Sequence, residues 1–460
     1  MGGVILILAC VATILAALQP VKISKLTLDM ATAPIVIIFI LLATKTIDFN
    51  TLISGIKGTP TIKPWEILII FFSTAYVSIS TDITGIFDYL AYKLVHLAKG
   101  DGLKLFLFFY FFSCFLTAFT SNDIVILTLT PIILYLGRHS SVNVLPLLFA
   151  EFFGANTFSM LLYIGNPTNI IVANSLNLNF WEYTKVMWLP TVVAALSNVL
   201  LLYALFRKQI RCNYALKEES NFEVRNWLNA FICSGLLFAM ILFLLFSQRI
   251  GVPLWKVTLW TAILSFINNS AFGIYYLLKG RKLTKIQLEV GKIVYGLKTD
   301  RIQMWVAFRR VPWKILPFIA TVFIIVQAFH DLGYIDKIAA YYSQVAHTEA
   351  KGIFFSGVGS IILANIINNQ PMSIFLSRVF TNTQIALNES VVQASAYATI
   401  ISSNLGANIT LIGALAGLMW KRILDVKKVK ITYASFFRIG IIVTPITALL
   451  TFITLYFILN

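Results

Sequence analysis

The sequence predicts an all-α polytopic membrane protein: about ten transmembrane helices in two inverted repeats, each with a re-entrant hairpin and a broken helix. Three observations carry this. Hydrophobic residues fill 58% of the 460 positions and charged residues only 12%, against roughly 25% charged in soluble domains; mean hydropathy is +0.84. Apolar runs of about 20 residues, the length that crosses hydrocarbon as a helix, recur from end to end. The basic residues behind the net charge of +17 lie mostly in connectors between those runs.

Taken in order, spans are expected near 2–19, 31–44, 66–83, 143–173, 187–206, 228–248, 254–278, 314–330, 391–420 and 433–457. The second is short for a crossing. Residues 1–19 have no charged n-region and read as the first span, not a cleaved leader. Stretches 103–137 and 352–383 are apolar but interrupted in the middle by polar residues. Each has room for two short helices that enter and return. The amphipathic segments 84–98 and 331–345 read as interfacial arms carrying these hairpins.

Charge tests the map. With both hairpins re-entrant, the connectors on one side hold 26 Lys and Arg and those on the other hold 8. The positive-inside rule then makes the first side cytoplasmic, with both termini outside. Letting the second hairpin cross would put the basic connectors 279–314 and 421–430 on opposite faces. Each half therefore reads as three spans, a hairpin and two spans. The first repeat covers 1–206, with its hairpin at 103–137 and its broken span at 143–173. The cytoplasmic linker is 207–227, with Arg207, Lys208, Arg211, Lys217, Glu218 and Glu219. The second repeat covers 228–460, with hairpin 352–383 and broken span 391–420. Five crossings per half is odd, so the second half is inverted, an arrangement typical of secondary transporters. Connector 279–314 is basic and long enough for a helix on the membrane surface.

Other classes fit less well. No basic stretch is long enough to fold as a nucleic-acid-binding domain, so the charge reads as orientation and contact with the anionic lipid bilayer. Cys10, Cys114, Cys212 and Cys233 show no CxxC spacing, and no disulfide framework, metal site or cofactor is implied. The chain lacks GxxxxGK[ST], HExxH and GxSG. Ala98-Lys99-Gly100-Asp101 only approaches a Gly-x-Gly-Asp motif, in a charged connector. These absences speak against a one-chain ATP-driven pump and a membrane-embedded enzyme. A channel is separated from a carrier by unsaturated flux, and a receptor has no need of broken helices in both halves.

The chemistry-bearing residues lie at the breaks. One hairpin turns at Phe119-Thr120-Ser121-Asn122-Asp123 and the other at Asn368-Asn369-Gln370-Pro371. The following spans are broken at Gly154-Ala155-Asn156-Thr157 and Gly165-Asn166-Pro167-Thr168-Asn169 in the first half. In the second half they break at Ser402-Ser403-Asn404 and Gly406-Ala407-Asn408-Ile409-Thr410, then Gly413. Backbone freed at membrane depth is tolerated only inside protein or beside a wet cavity. Four such breaks are expected to converge on one central solute site. Asp123 is the only acid in any tip or break, and an intramembrane carboxylate points to proton or ion coupling; capping of its own helix is the alternative. Glu151 is a second coupling candidate, or lies near the interface. Arg378 is expected to snorkel to the outer surface, and His330 and Asp331 to end their span in water.

At these motifs the chain resembles the arsenite efflux permeases, the membrane component of arsenical pumps, within an ion-transporter superfamily that includes sodium/proton antiporters and dicarboxylate carriers. The resemblance rests on Phe119 to Asp123 continuing to Leu129-Thr130-Pro131-Ile132, on Asn368 to Pro371, on Trp181 to Lys208, and on Ser403 to Ala416 with Trp420. It implies an elevator-type transporter in the cell membrane, with a scaffold and a moving domain, and proton-coupled efflux of a small inorganic solute. Scaffold dimerisation and, for some members, a cytoplasmic ATPase subunit are also implied. Carried over by position, Ser121, Asn122, Asn156, Thr157, Gly165, Asn166, Pro167, Thr168, Asn169, Asn368, Asn369, Gln370, Asn404, Asn408 and Thr410 would bind solute, with Asp123 and Glu151 in proton coupling. Asn404 stands where such permeases usually have an acid, which leaves Asp123 as the main proton carrier. Sodium/proton exchange and anion transport remain alternatives.

Overall fold

A computed structural model describes residues 2–18, 21–23, 26–59, 62–138, 140–211, 213–215, 224, 226–278 and 303–460. Residues 212, 216–223 and 225 of the expected linker and 279–302 of the basic connector lie outside the described residues; of the surface helix expected there, Gln303–Arg310 is described.

The first half runs α1 (Gly2–Leu18), a small antiparallel pair β1 (Val21–Ile23) and β2 (Leu26–Leu28), α2 (Thr32–Ala43), α3 (Phe49–Lys57), α4 (Pro64–Asp82) and α5 (Ile86–Leu97). It continues with α6 (Gly102–Phe119), α7 (Asn122–Arg138), α8 (Val144–Phe158), α9 (Pro167–Ser175) and α10 (Phe180–Ile210). The second half runs α11 (Trp227–Phe246), α12 (Leu254–Leu278), α13 (Gln303–Arg310), α14 (Ile315–Asp331) and α15 (Tyr334–Val345). Then come α16 (Glu349–Ile367), α17 (Asn369–Phe380), α18 (Glu389–Leu405) with a 3-10 turn at Gly406–Asn408, α19 (Leu415–Val426) and α20 (Tyr433–Leu459).

Seven of the described helices are long and apolar enough to cross a membrane, or up to eight when α14 and α15, bent by 78°, count as one span. The expected spans 143–173 and 391–420 are absent from that set because each splits into two short helices. α2 has 12 residues, about 18 Å of helix against a hydrocarbon core of about 30 Å. Large apolar side chains such as Phe39, Phe231, Trp260, Leu278 and Phe457 point outward, as the bilayer requires of an integral multi-pass protein.

Local chemistry explains the boundaries. Asp101 accepts from Leu103 N and Lys104 N and so caps α6, as Thr348 caps α16 through Lys351 N. Asn166 caps α9, with Pro167 in its first turn, where a missing N–H costs nothing. The corners after α4 and α14 are made by Gly85 (φ 83°) and Gly333 (φ 72°), a conformation open to glycine. The two corners are separated in sequence by the same distance as Gly165 and Gly413 in the two breaks.

Packing is reciprocal between the halves. α6 and α7 lie on α8, while α16 and α17 lie on α18. In addition α17 packs on α9, and α7 packs on α19. Each broken span also passes between two apolar cores. Phe149, Phe152 and Phe153 of α8 join one core and Ile170, Ile171 and Val172 of α9 the other. Ile400, Ile401 and Leu405 of α18 belong to the latter, whereas Ala416, Trp420 and Leu424 of α19 return to the former. The breaks therefore sit where two greasy layers meet.

Candidate functional site

Both hairpin tips are stitched to the break that follows them by the same backbone bond. Asn122 N donates to Gly165 O at 3.4 Å, and Asn369 N donates to Gly413 O at 3.0 Å. At the second tip Asn368 has φ 72° and ψ 151°, a region that costs a non-glycine residue about 1–3 kcal/mol. Its side chain holds that geometry by donating to Ile412 O at 3.0 Å and accepting from Gln370 N at 3.3 Å.

Between the tips lies a buried layer of amides and hydroxyls drawn from both halves. Asn122 Nδ2 donates to Asn156 Oδ1 and Asn156 Nδ2 donates to Asn408 Oδ1, each at 2.9 Å. The two ends of this chain, Asn122 Oδ1 and Asn408 Nδ2, are buried and have no hydrogen-bond partner among the described residues, and the same holds for Gln370 Oε1 and Ser373 Oγ. Beside it, Asn404 is a hub. Its Oδ1 accepts from Ser159 Oγ at 2.6 Å and Asn166 Nδ2 at 2.9 Å, and its Nδ2 donates to Asn169 Oδ1 at 2.8 Å and Ile400 O at 2.8 Å. Ser403 donates to Thr168 Oγ1 at 2.9 Å, and Asn369 Nδ2 to Ser403 O at 3.0 Å. The layer contains no Lys, Arg, Asp or Glu side chain among these partners, so it offers hydrogen bonds with little net charge.

Most of the residues expected at the site thus meet. Three turn to partners outside this layer. Thr157 turns to Asn198 of α10, which also accepts from Thr447 of α20 at 3.2 Å. Thr410 donates to Asn365 of α16 at 2.6 Å. Glu151 lies fully buried and accepts from Thr130 at 2.8 and 3.1 Å, among Phe149, Phe152 and Trp420 of the aromatic core. Ser121 is half-buried at the tip, and Asp123, buried in the first turn of α7, makes no hydrogen bond among the described residues. Arg378 is half-buried and donates to Gln327, which in turn donates to Asp331.

Sequence reasoning missed Ser159, Asn198 and Asn365, single polar residues inside apolar runs whose partners are distant in the chain. It also missed a buried ion pair, Arg310 Nη2 to Asp82 Oδ2 at 2.5 Å. An acid inside the expected span 66–83 was the available signal.

Gly165 is fixed by close approach: a Cβ there would lie 2.2 Å from Ser159 O. That oxygen also accepts from Asn169 at 2.8 Å. Gly165→Ala is expected to force the break apart and cut transport at least about tenfold, a loss of roughly 1.4 kcal/mol of productive geometry. Initial uptake rates at matched expression in the membrane check it.

A family model described as "Citrate transporter" matches residues 4–399. The chain belongs to this family. It is a membrane transporter. The Escherichia coli protein named "Arsenical pump membrane protein" is 25% identical, over 83% of this chain and 83% of its own length. A protein of the same name from Yersinia enterocolitica is 26% identical over the same shares. Among solved structures, the Alcanivorax borkumensis YdaH transporter, described as having an unusual topology, aligns with a TM-score of 0.51 at 13% identity, covering 100% of this chain and 95% of that one. That likeness is one of fold alone.

Proposed function

We propose that the chain is a secondary transporter that exports arsenite or antimonite in exchange for protons, from a site made where two inverted halves meet. The observation that carries the solute class is the Asn122–Asn156–Asn408 chain, which ends in one acceptor and one donor that have no partner among the described residues. An uncharged solute bearing several hydroxyls donates to the first and accepts from the second. A buried polar atom without a partner costs about 1–3 kcal/mol, so such a solute gains affinity by completing the layer.

The family description favours a second reading, a carboxylate anion. A tricarboxylate brings several negative charges, and none of the tip or break residues in the layer is cationic. Arg378 is the basic residue nearest in sequence to a tip, and its guanidinium is turned to Gln327. Uncompensated burial of such charge is costly. The names of the relatives agree with the neutral metalloid.

Contacts between connectors support the two-sided arrangement. Lys314 meets Asp29 at 2.6 Å and Arg310 meets Asp82 at 2.5 Å, joining segments at the side that charge assigns to the cytoplasm. Thr51 donates to Asp331 at 2.8 Å, and Trp65 and Trp255 pack at 5.3 Å, joining segments assigned to the outside.

Everted vesicles carrying the protein should accumulate arsenite above the bath concentration when their interior is acidified, and lose it on addition of a protonophore. Accumulation of citrate instead would select the anion reading. Sodium-dependent proton movement with no arsenite uptake would select a sodium/proton antiporter.

A further inference from the structure

α4 and α14 hold equivalent places before the two hairpins, and both end on an acid, Asp82 and Asp331. A carboxylate at a helix C-terminus is disfavoured by the helix dipole, so each acid stands there against local preference. Each is also tied to the return helix of a hairpin. Asp82 Oδ1 accepts from Thr128 of α7 at 2.7 Å, while its Oδ2 meets Arg310 of α13; both side chains of the ion pair are 3–4% exposed. Asp331 Oδ1 accepts from Gln327 Nε2 at 2.7 Å, and Gln327 Oε1 in turn accepts from Arg378 of α17. Thr51 of α3 holds the other oxygen of Asp331 at 2.8 Å.

The return helices α7 and α17 begin with the very amides that form the polar layer, Asn122 and Asn369 with Gln370. A bond from the body of either helix to a straight neighbour therefore sets where its tip stands. We propose that Asp82 and Asp331 are positioning residues: each anchors one hairpin at one face of the membrane, and release of one anchor at a time exposes the solute amides to that face. The inference rests on the two-sided transport reading above.

The anchors differ in chemistry. On the Asp82 side the cation comes from α13, and the hairpin contributes the Thr128 hydroxyl. On the Asp331 side the hairpin itself carries the cation, Arg378. Each bond to a hairpin has one ionised partner, Asp82 for Thr128 and Arg378 for Gln327, so both anchors are of the charge-assisted kind.

The test is side-specific labelling with a membrane-impermeant maleimide. The parent has Cys10, Cys114, Cys212 and Cys233 changed to Ala and carries one new thiol, from Ser121→Cys or Ile367→Cys. Asp82→Asn is expected to raise labelling of the Ser121→Cys protein by about fivefold in everted vesicles and not in right-side-out ones, the population change that follows loss of one net hydrogen bond. Arg378→Gln should do the same for Ile367→Cys in right-side-out vesicles only. Asp82→Asn strands a buried guanidinium, so Thr128→Val, which spares the ion pair, is run beside it and should give the same side-specific rise. Labelling within twofold of the parent from both sides, in Thr128→Val and Arg378→Gln proteins that are inserted and stable, overturns the proposal. No solute is present, so a failed arsenite assay leaves this result standing, and equal labelling leaves the solute reading intact.

Discussion

Asn404→Ala is expected to abolish transport and to lower stability by about 2–6 kcal/mol, because it strands two buried polar atoms at roughly 1–3 kcal/mol each. Asn404 makes four bonds in a site with no exposure. Ser159 has an alternative acceptor in Asn156 O at 2.7 Å and loses little. Asn166 Nδ2 and Asn169 Oδ1 lose their hydrogen-bond partners. The Asn169 amide cannot turn round to compensate, since its Nδ2 already donates to Ser159 O and Leu162 O at 2.8 and 3.1 Å. The damage spreads because these residues shape the break that holds the first tip through Gly165 O. Asn404→Asp separates charge from shape. It keeps both acceptor bonds but sets a carboxylate oxygen against Asn169 Oδ1. A protonated carboxyl there can donate in place of the amide and an ionised one cannot. Transport by Asn404→Asp should therefore survive at low pH and fall as pH rises, while the parent lacks that added dependence. Uptake measured across pH, with thermal unfolding in detergent alongside, decides it. An Asn404→Ala protein that transports normally would remove the hub from the site.

How much of this was legible follows from where the partners lie. The breaks within 103–137 and 352–383 were readable because polar residues interrupt long apolar runs, and the structure places the turns at Thr120–Ser121 and Asn368; the length of the first arms was not, since α6 and α16 are each long and apolar enough to cross a membrane and not the short helices expected. The broken spans were readable from Gly, Pro and Asn clustered in one run. The repeated Gly-Ala-Asn was a less faithful guide. Asn156 ends α8 before its break, whereas Asn408 lies in a 3-10 turn past the end of α18; by helix position it is Asn404 that answers to Asn156. The bonds themselves were not legible. Asn156 to Asn408 and Asn166 to Asn404 join residues more than half the chain apart, and a single sequence carries no record of such pairing. Arg310 with Asp82 was hidden for the same reason, and because a charged residue at the end of a basic connector reads as solvated.

Asp123→Asn should uncouple transport from the proton gradient while leaving solute exchange in place. Two buried carboxylates compete for the coupling role. Glu151 is wedged beneath the aromatic core and held by both oxygens to Thr130, so any change of its charge disturbs a packed interior outside the bonds of the amide layer. Asp123 is the neighbour of Asn122 in the layer, is 9% exposed, and has no hydrogen bond among the described residues to fix its charge state. The N-terminus of α7 favours its negative form, and burial favours its neutral form. Opposed effects of that kind let protonation follow the access of the tip to either face. The amide keeps the neutral shape permanently. Counterflow of arsenite between equal pH compartments should then persist within about twofold of the parent, while acid-driven accumulation drops to the equilibrium level. Stability should be equal or slightly higher, since an unpaired buried carboxylate is replaced by a group that is never charged. Glu151→Gln can still accept from Thr130 and should retain gradient-driven accumulation. If accumulation instead survives in Asp123→Asn and fails in Glu151→Gln, the proton passes through the aromatic core and Asp123 serves only the end of its helix.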